Sequence, residues 1–140
     1  MDDYAGVYTL WQQCDGVGLS QADRPAEIFR FLERNRGMSF VARCDHEVVG
    51  AILCGHDGRR GYLHHLAVAA GYRRQGIASE LVKRALSQLR IEGIAKCHLF
   101  IFNDNGVGKA FWNSIGWKER EDIAIMSRNL IHDPVSTCPC

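Results

Sequence analysis

His64-His65-Leu66-Ala67-Val68-Ala69-Ala70-Gly71-Tyr72-Arg73-Arg74-Gln75-Gly76-Ile77-Ala78 is the stretch on which the fold turns. Strand-forming residues give way to a basic, Gly-containing turn, and that turn opens the clearest helix of the chain. Ile77, Ala78, Leu81, Val82, Ala85, Leu86 and Leu89 recur at helical spacing as a wide apolar stripe, with Glu80, Lys83, Arg84 and Gln88 on the other side. Such a strand, turn and helix start suits a pyrophosphate, because the first helical turn has unpaired N–H donors and a positive dipole end. Gly76 lets the backbone approach a ligand without a Cβ in the way. Between Asp57 and Glu80 there are four arginines, two histidines and no carboxylate. In isolation, Arg-x-x-Gly-x-Ala is a loose pattern, and a solvated turn before a surface helix would look similar. Neither the phosphate loop ending in Gly-Lys-Ser/Thr nor the dinucleotide Gly-x-Gly-x-x-Gly occurs in this turn.

Working outward, Val7, Leu10, Trp11 and Cys14 share one helix face, and Asp2 or Asp3 is positioned to cap its start. A Gly-containing loop spans residues 16–18. A second helix is predicted from Asp23-Arg24-Pro25, with Asp supplying the capping oxygen and Pro in the first turn, burying Ile28, Phe29 and Leu32 before Gly37. Ser39 to Cys44 and Glu47 to Cys54 read as an antiparallel hairpin across Asp45-His46. Tyr62 to Val68 is a third strand, Lys96 to Phe102 a fourth and Val107 to Ile115 a short helix, with one or two further strands between Trp117 and Leu130. This order predicts an α+β domain whose sheet is mixed and mostly antiparallel, flanked by about four helices.

The composition agrees with one domain. The 140 residues are 46% hydrophobic and 24% charged, with a formal net charge of +1, which disfavours disorder and removes the simplest argument for nucleic acid. The near-neutral total conceals the local basic surplus around the turn. Met1-Asp2-Asp3-Tyr4 carries acid where a secretory signal carries Lys or Arg, and no apolar run approaches a membrane span. A cytoplasmic protein with no membrane and no nucleic-acid partner is the expectation. Cys14, Cys44, Cys54 and Cys97 lie scattered in apolar segments and read as buried free thiols. Cys138-Pro139-Cys140 differs, but no partner residues for a metal stand nearby, and no metal site is expected.

At the basic turn the chain resembles the GNAT superfamily of acyl-CoA-dependent N-acetyltransferases. Arg73-Arg74-Gln75-Gly76-Ile77-Ala78 matches that family's Gln/Arg-x-x-Gly-x-Gly/Ala signature, and Asn105, Ala110, Phe111-Trp112 and Ile115-Gly116-Trp117 resemble its later pattern. The resemblance covers about residues 2 to 130, so residues 1–130 are expected to form one such domain and 131–140 a flexible tail. It implies that Leu66, Ala67 and Val68 present free backbone groups to the pantetheine arm of acetyl-CoA, as a peptide adds to a sheet edge. Arg73, Arg74, Gln75, Gly76, Ile77 and Ala78 would hold the pyrophosphate, with arginine charge outside. Asn105 would contact the arm from the other side, and the N–H of Leu66 would polarise the thioester carbonyl. Relatives begin with a strand before the first helix. Here Asp2-Asp3-Tyr4 already starts that helix, so the first strand is expected to be missing, through a late start or as an uncovered edge open to a partner, and a homodimer stays open.

The implied activity is transfer of an acetyl group from acetyl-CoA to a primary amine, small molecule or peptide, by direct attack in a ternary complex. An alkylammonium with a pKa near ~10 is only about 0.1% neutral at pH 7, so a base or a water chain must take its proton. Some relatives use a Glu where Tyr62 stands here. Arylalkylamine-acetylating relatives carry histidines on this strand, and one of those positions matches His64, which is therefore the candidate base. Strand alternation puts His64 on the face of Tyr62 and Leu66, and His65 on the other. Trp112 falls where many relatives have a Tyr that protonates the leaving thiolate, and indole cannot do so. The missing Glu and Tyr keep open an alternative, a catalytically impaired acyl-CoA-binding module.

Overall fold

The structure is a computed structural model that describes residues 1–131. Two compact units divide the described residues, Met1–Phe100 and those from Ile101 onward. The first holds α1 (Tyr4–Gln13), a short 3-10 turn (Gln21–Asp23), α2 (Pro25–Arg34), β1 (Phe40–Cys44), β2 (Glu47–His56), β3 (Gly61–Val68), a second 3-10 turn (Ala70–Tyr72), α3 (Ile77–Ile91) and β4 (Cys97–Leu99). The second holds α4 (Gly106–Ser114). The α+β class and the mixed sheet are as the sequence predicts.

The sheet runs in the order β1-β2-β3-β4. β1 and β2 form a hairpin whose turn residue Asp45 is left-handed, and β2 pairs antiparallel with β3. β3 and β4 are parallel, a pairing that needs a crossover, and α3 supplies it. The ladder between them is short. It joins Gly61, Leu63 and the residue between them to Cys97–Leu99 and stops there, so β3 continues to Val68 with no strand beside it on that edge among the described residues.

Apolar side chains cover both faces of the sheet. On one face Val7, Leu10, Trp11 and Cys14, with Ile28 of α2, pack on Ala51, Leu53 and Ala67. On the other, α3 buries Leu81, Val82, Ala85 and Leu89, each large aliphatic side chain contributing about 1.5–3 kcal/mol. Two strand glycines set how close α3 lies. A Cβ on Gly50 would stand 3.0 Å from Ile77 Cγ2, and one on Gly61 would stand 2.6 Å from Leu89 Cδ1. Small residues under both ends of α3 thus seat its N-terminus at the end of β3.

Several local expectations are corrected. Phe29 is 51% exposed, and Phe31 turns inward in its place beside the expected Ile28 and Leu32. With the helix starting at Pro25, positions 28, 31, 32 and 35 share a face, and 29 lies about 100° away. Arg24, not Asp23, is the N-cap of α2, and Asp3 occupies the N-cap of α1 without capping it, since its carboxylate pairs with Arg43. The fourth strand is three residues long rather than seven. Residues 118–131 contain no strand. A strand exists only as part of a ladder, and no described residue pairs with this run, which leaves Ile123, Ile125 and Met126 exposed. The expected tail lies, apart from Ile131, outside the described residues, as do Cys138 and Cys140. No helix among the described residues is long and apolar enough to cross a membrane.

Candidate active site

The turn between β3 and α3 is held by backbone bonds and one arginine side chain. Ala69 N–H donates to Val49 O at 2.8 Å, Tyr72 N–H to Ala69 O at 2.9 Å, and Arg73 Nε to Val68 O at 3.1 Å. Arg73 therefore folds back to brace the end of β3, and both Arg73 and Arg74 are exposed cations. Arg74 and Gly76 are both left-handed, with φ of 63° and 82°. No protein atom lies within 4 Å of a Cβ built on Gly76, so the protein itself demands glycine there for φ and not for room. The first bond of α3 runs from Glu80 N–H to Gly76 O at 3.0 Å. The N–H groups of Ile77, Ala78 and Ser79 precede it, and Gly76 has no side chain to cap them. Glu80, the only acid of that first turn, pairs with Arg84 at 3.1 Å.

Upstream, β3 carries a bulge. Ala51 faces Ala67 and Leu53 faces His64, so three steps along β3 match two along β2. His65 absorbs the extra residue with φ 51°. This overturns the expected alternation. His64 meets Phe31 of α2 at a ring separation of 5.9 Å, and His65 meets Trp11 of α1 at 5.0 Å, so both imidazoles lie in the α1-α2 layer. Ala67, not Leu66, joins the core beside Leu53. Tyr62 does share the face of His64, stacked at 6.5 Å and 11°, and its ring also meets His98 and Phe100 at 6.0 and 6.1 Å.

Burial, first, and the neighbouring His65, second, push the His64 pKa below its ordinary value near 6.5, and Asp23 offsets part of this. The neutral imidazole is thus favoured at His64 relative to a free histidine. His65 Nε2 lies 2.8 Å from Asp23 Oδ1, and Asp23 is 4% exposed. This pair was not legible in the sequence, where Asp23 reads as a helix cap. Burial pushes the Cys54 thiol up to about 12, with Cys97 adding to the effect, and Cys97 up to about 11. Neither is a thiolate near neutral pH.

In the second unit, Asn105 is the N-cap of α4, its Oδ1 accepting from Gly108 N–H at 2.9 Å. Trp112 packs between Phe111 and Trp117 at ring separations of 5.2 and 5.0 Å, which is a packing role.

Residues 4–117 match the Acetyltransferase (GNAT) family. An acetyltransferase of Sodalis glossinidius (strain morsitans) and another of Pectobacterium atrosepticum are each 32% identical over 132 residues, 94% of this chain and 92% of theirs. Among solved structures, an apo aminoglycoside 6'-N-acetyltransferase from Acinetobacter haemolyticus superposes with a TM-score of 0.71 at 18% identity, covering 93% of this chain and 94% of its own. The PaiA N-acetyltransferase of Thermoplasma acidophilum, in complex with coenzyme A, gives 0.72 at 17% identity over 84% of each chain. The chain belongs to the GNAT family, a family of acetyl-CoA-dependent acetyltransferases.

Proposed function

We propose that this protein transfers an acetyl group from acetyl-CoA to a primary amine by direct attack within a ternary complex. The observation that carries the reading is the edge of β3 from His64 to Val68, which has no strand beside it among the described residues and runs into the left-handed turn before α3. Leu66, Ala67 and Val68 offer backbone groups to the pantetheine arm, and the N–H groups of Gly76, Ile77 and Ala78 receive the pyrophosphate, with Gln75 exposed beside them. Arg74 adds charge from solvent, and Arg73 holds the turn on β3. The domain assigned to this activity is residues 1–130. The four free thiols of the described residues suit a reducing, cytoplasmic setting.

The Leu66 N–H stabilises the oxygen of the tetrahedral intermediate, an effect commonly worth a few kcal/mol. His64, its neutral form favoured, accepts the proton of the acceptor ammonium directly or through water. The freed amine nitrogen then bonds to the carbonyl carbon, the C–S bond breaks, and the second proton, made acidic on the newly acylated nitrogen, passes through water to the leaving thiolate, since Trp112 supplies none. A small-molecule amine acceptor is supported by fold neighbours that acetylate aminoglycosides.

A second reading, an acyl-CoA-binding module with impaired catalysis, is favoured by Trp112 lying packed between aromatic rings. Release of free thiol from acetyl-CoA, followed over a panel of small amines and peptides, separates the two. Turnover on one acceptor supports the enzyme, and tight CoA binding with turnover on none supports the module.

A further inference from the structure

His65 is the one residue of β3 whose backbone is left-handed, and it lies where β3 has just left β4. An L residue other than glycine resists that conformation, so something must hold it. Its ring reaches Asp23 at 2.8 Å through Nε2 and packs edge-on against Trp11. Asp23 is itself fixed from three sides. Its Oδ2 accepts Ser20 N–H at 2.9 Å, its carbonyl accepts the Tyr4 hydroxyl at 2.7 Å, and it closes a capping box with Ser20. A carboxylate only accepts hydrogen bonds, so it selects the His65 tautomer that carries the proton on Nε2.

We propose that Asp23 is a positioning residue for acyl transfer: through the His65 ring it holds the β3 bulge, and so fixes the strand edge at Leu66, Ala67 and Val68. The inference rests on the function proposed above. Its physical content is that Asp23 never meets the acyl-CoA, yet the carboxylate and the edge are coupled by one rigid side chain. Loss of either partner frees the bulge, and loss of both does no more than loss of one.

The test is calorimetric CoA binding by the full chain and its variants, with thermal midpoints measured alongside. Asp23→Ala and His65→Gly each weaken CoA binding at least tenfold, the glycine variant while tolerating the left-handed backbone, and the double variant is no worse than Asp23→Ala. Asp23→Asn loses less, because its Oδ1 still accepts from His65. Ser20→Ala removes the hydroxyl that accepts Ala22 N–H and serves the Asp23 backbone in the capping box, but keeps the Ser20 N–H that holds Asp23 Oδ2, and lowers the thermal midpoint with CoA binding within twofold. Nitrogen-15 shifts at pH 8 show His65 protonated on Nε2 in the unaltered chain and mixed tautomers in Asp23→Ala. CoA binding within twofold in Asp23→Ala, equal losses in Ser20→Ala, additive losses in the double variant, or protonation on Nδ1 overturns the positioning role alone. An unaltered chain that binds no CoA overturns the proposed function with it.

Discussion

Replacing Gly76 with alanine separates what the turn needs for its own backbone from what it offers a ligand. Gly76 has φ 82° with no protein atom within 4 Å of an added Cβ. Gly58, in the loop before β3, has φ 90° and is equally open. Alanine at either site pays about 1–2 kcal/mol for the left-handed backbone, partly offset by about 0.4–1 kcal/mol from a stiffer unfolded chain. The net loss is about 1 kcal/mol in each case, or a fall of about 4 °C in Tm for a domain of this size. The two variants are therefore matched in stability. They differ in binding, because at Gly76 the methyl stands beside the donors that open α3. Losing one hydrogen bond to a charged group there removes about 1.5–3 kcal/mol, which is a ten- to hundredfold rise in the CoA Kd. Thermal melts and calorimetric titration with CoA read both quantities on the same samples. Equal Tm losses with an unchanged Kd for Gly76→Ala would refute the placement of the pyrophosphate at this turn.

The remaining predictions address the base, the seat of α3 and the thiols. Because the folded pKa of His64 lies below its unfolded value, the unfolded chain binds that proton first on acidification; stability from this group is full above about pH 6.5 and is lost as pH falls toward the lower folded pKa. His64→Ala removes that slope from urea melts and lowers turnover mostly below pH 8 while sparing CoA affinity; unchanged rates across that range remove His64 from the mechanism. Gly61→Ala drives a methyl to 2.6 Å from Leu89 Cδ1 and costs about 1–3 kcal/mol by overpacking, whereas a urea midpoint equal to that of the unaltered chain would mean that α3 shifts freely. With Cys54 and Cys97 held near 12 and 11, intact-mass analysis after acetyl-CoA alone shows no acetyl adduct on either, and an adduct would point to a covalent route.

What was legible in the sequence was whatever repeats. The stripe from Ile77 to Leu89 fixes α3 through a period of 3.6 residues, and Gly76 marks its start through a backbone demand that few residues meet. The hairpin, the third strand and the turn followed from the same kind of signal. Features created by a single event escaped. One extra residue in β3 carries no compositional mark, yet it resets the alternation, moves His65 into the layer of His64 and hands the core position to Ala67. Asp23 escaped for a related reason: a carboxylate before Arg-Pro fits a helix cap, and only the bulge brings an imidazole to it from 42 residues away. The apolar run from Ile123 to Met126 shows the converse, a strand-like pattern that stays without a ladder because propensity cannot supply a partner edge. Periodicity therefore placed the turn that opens α3, while a slip in register set the side chains along the end of β3. The bulge that sets the place of His65 lies just past the point where β3 parts from β4, so the sequence was hardest to read where the strand loses its parallel neighbour.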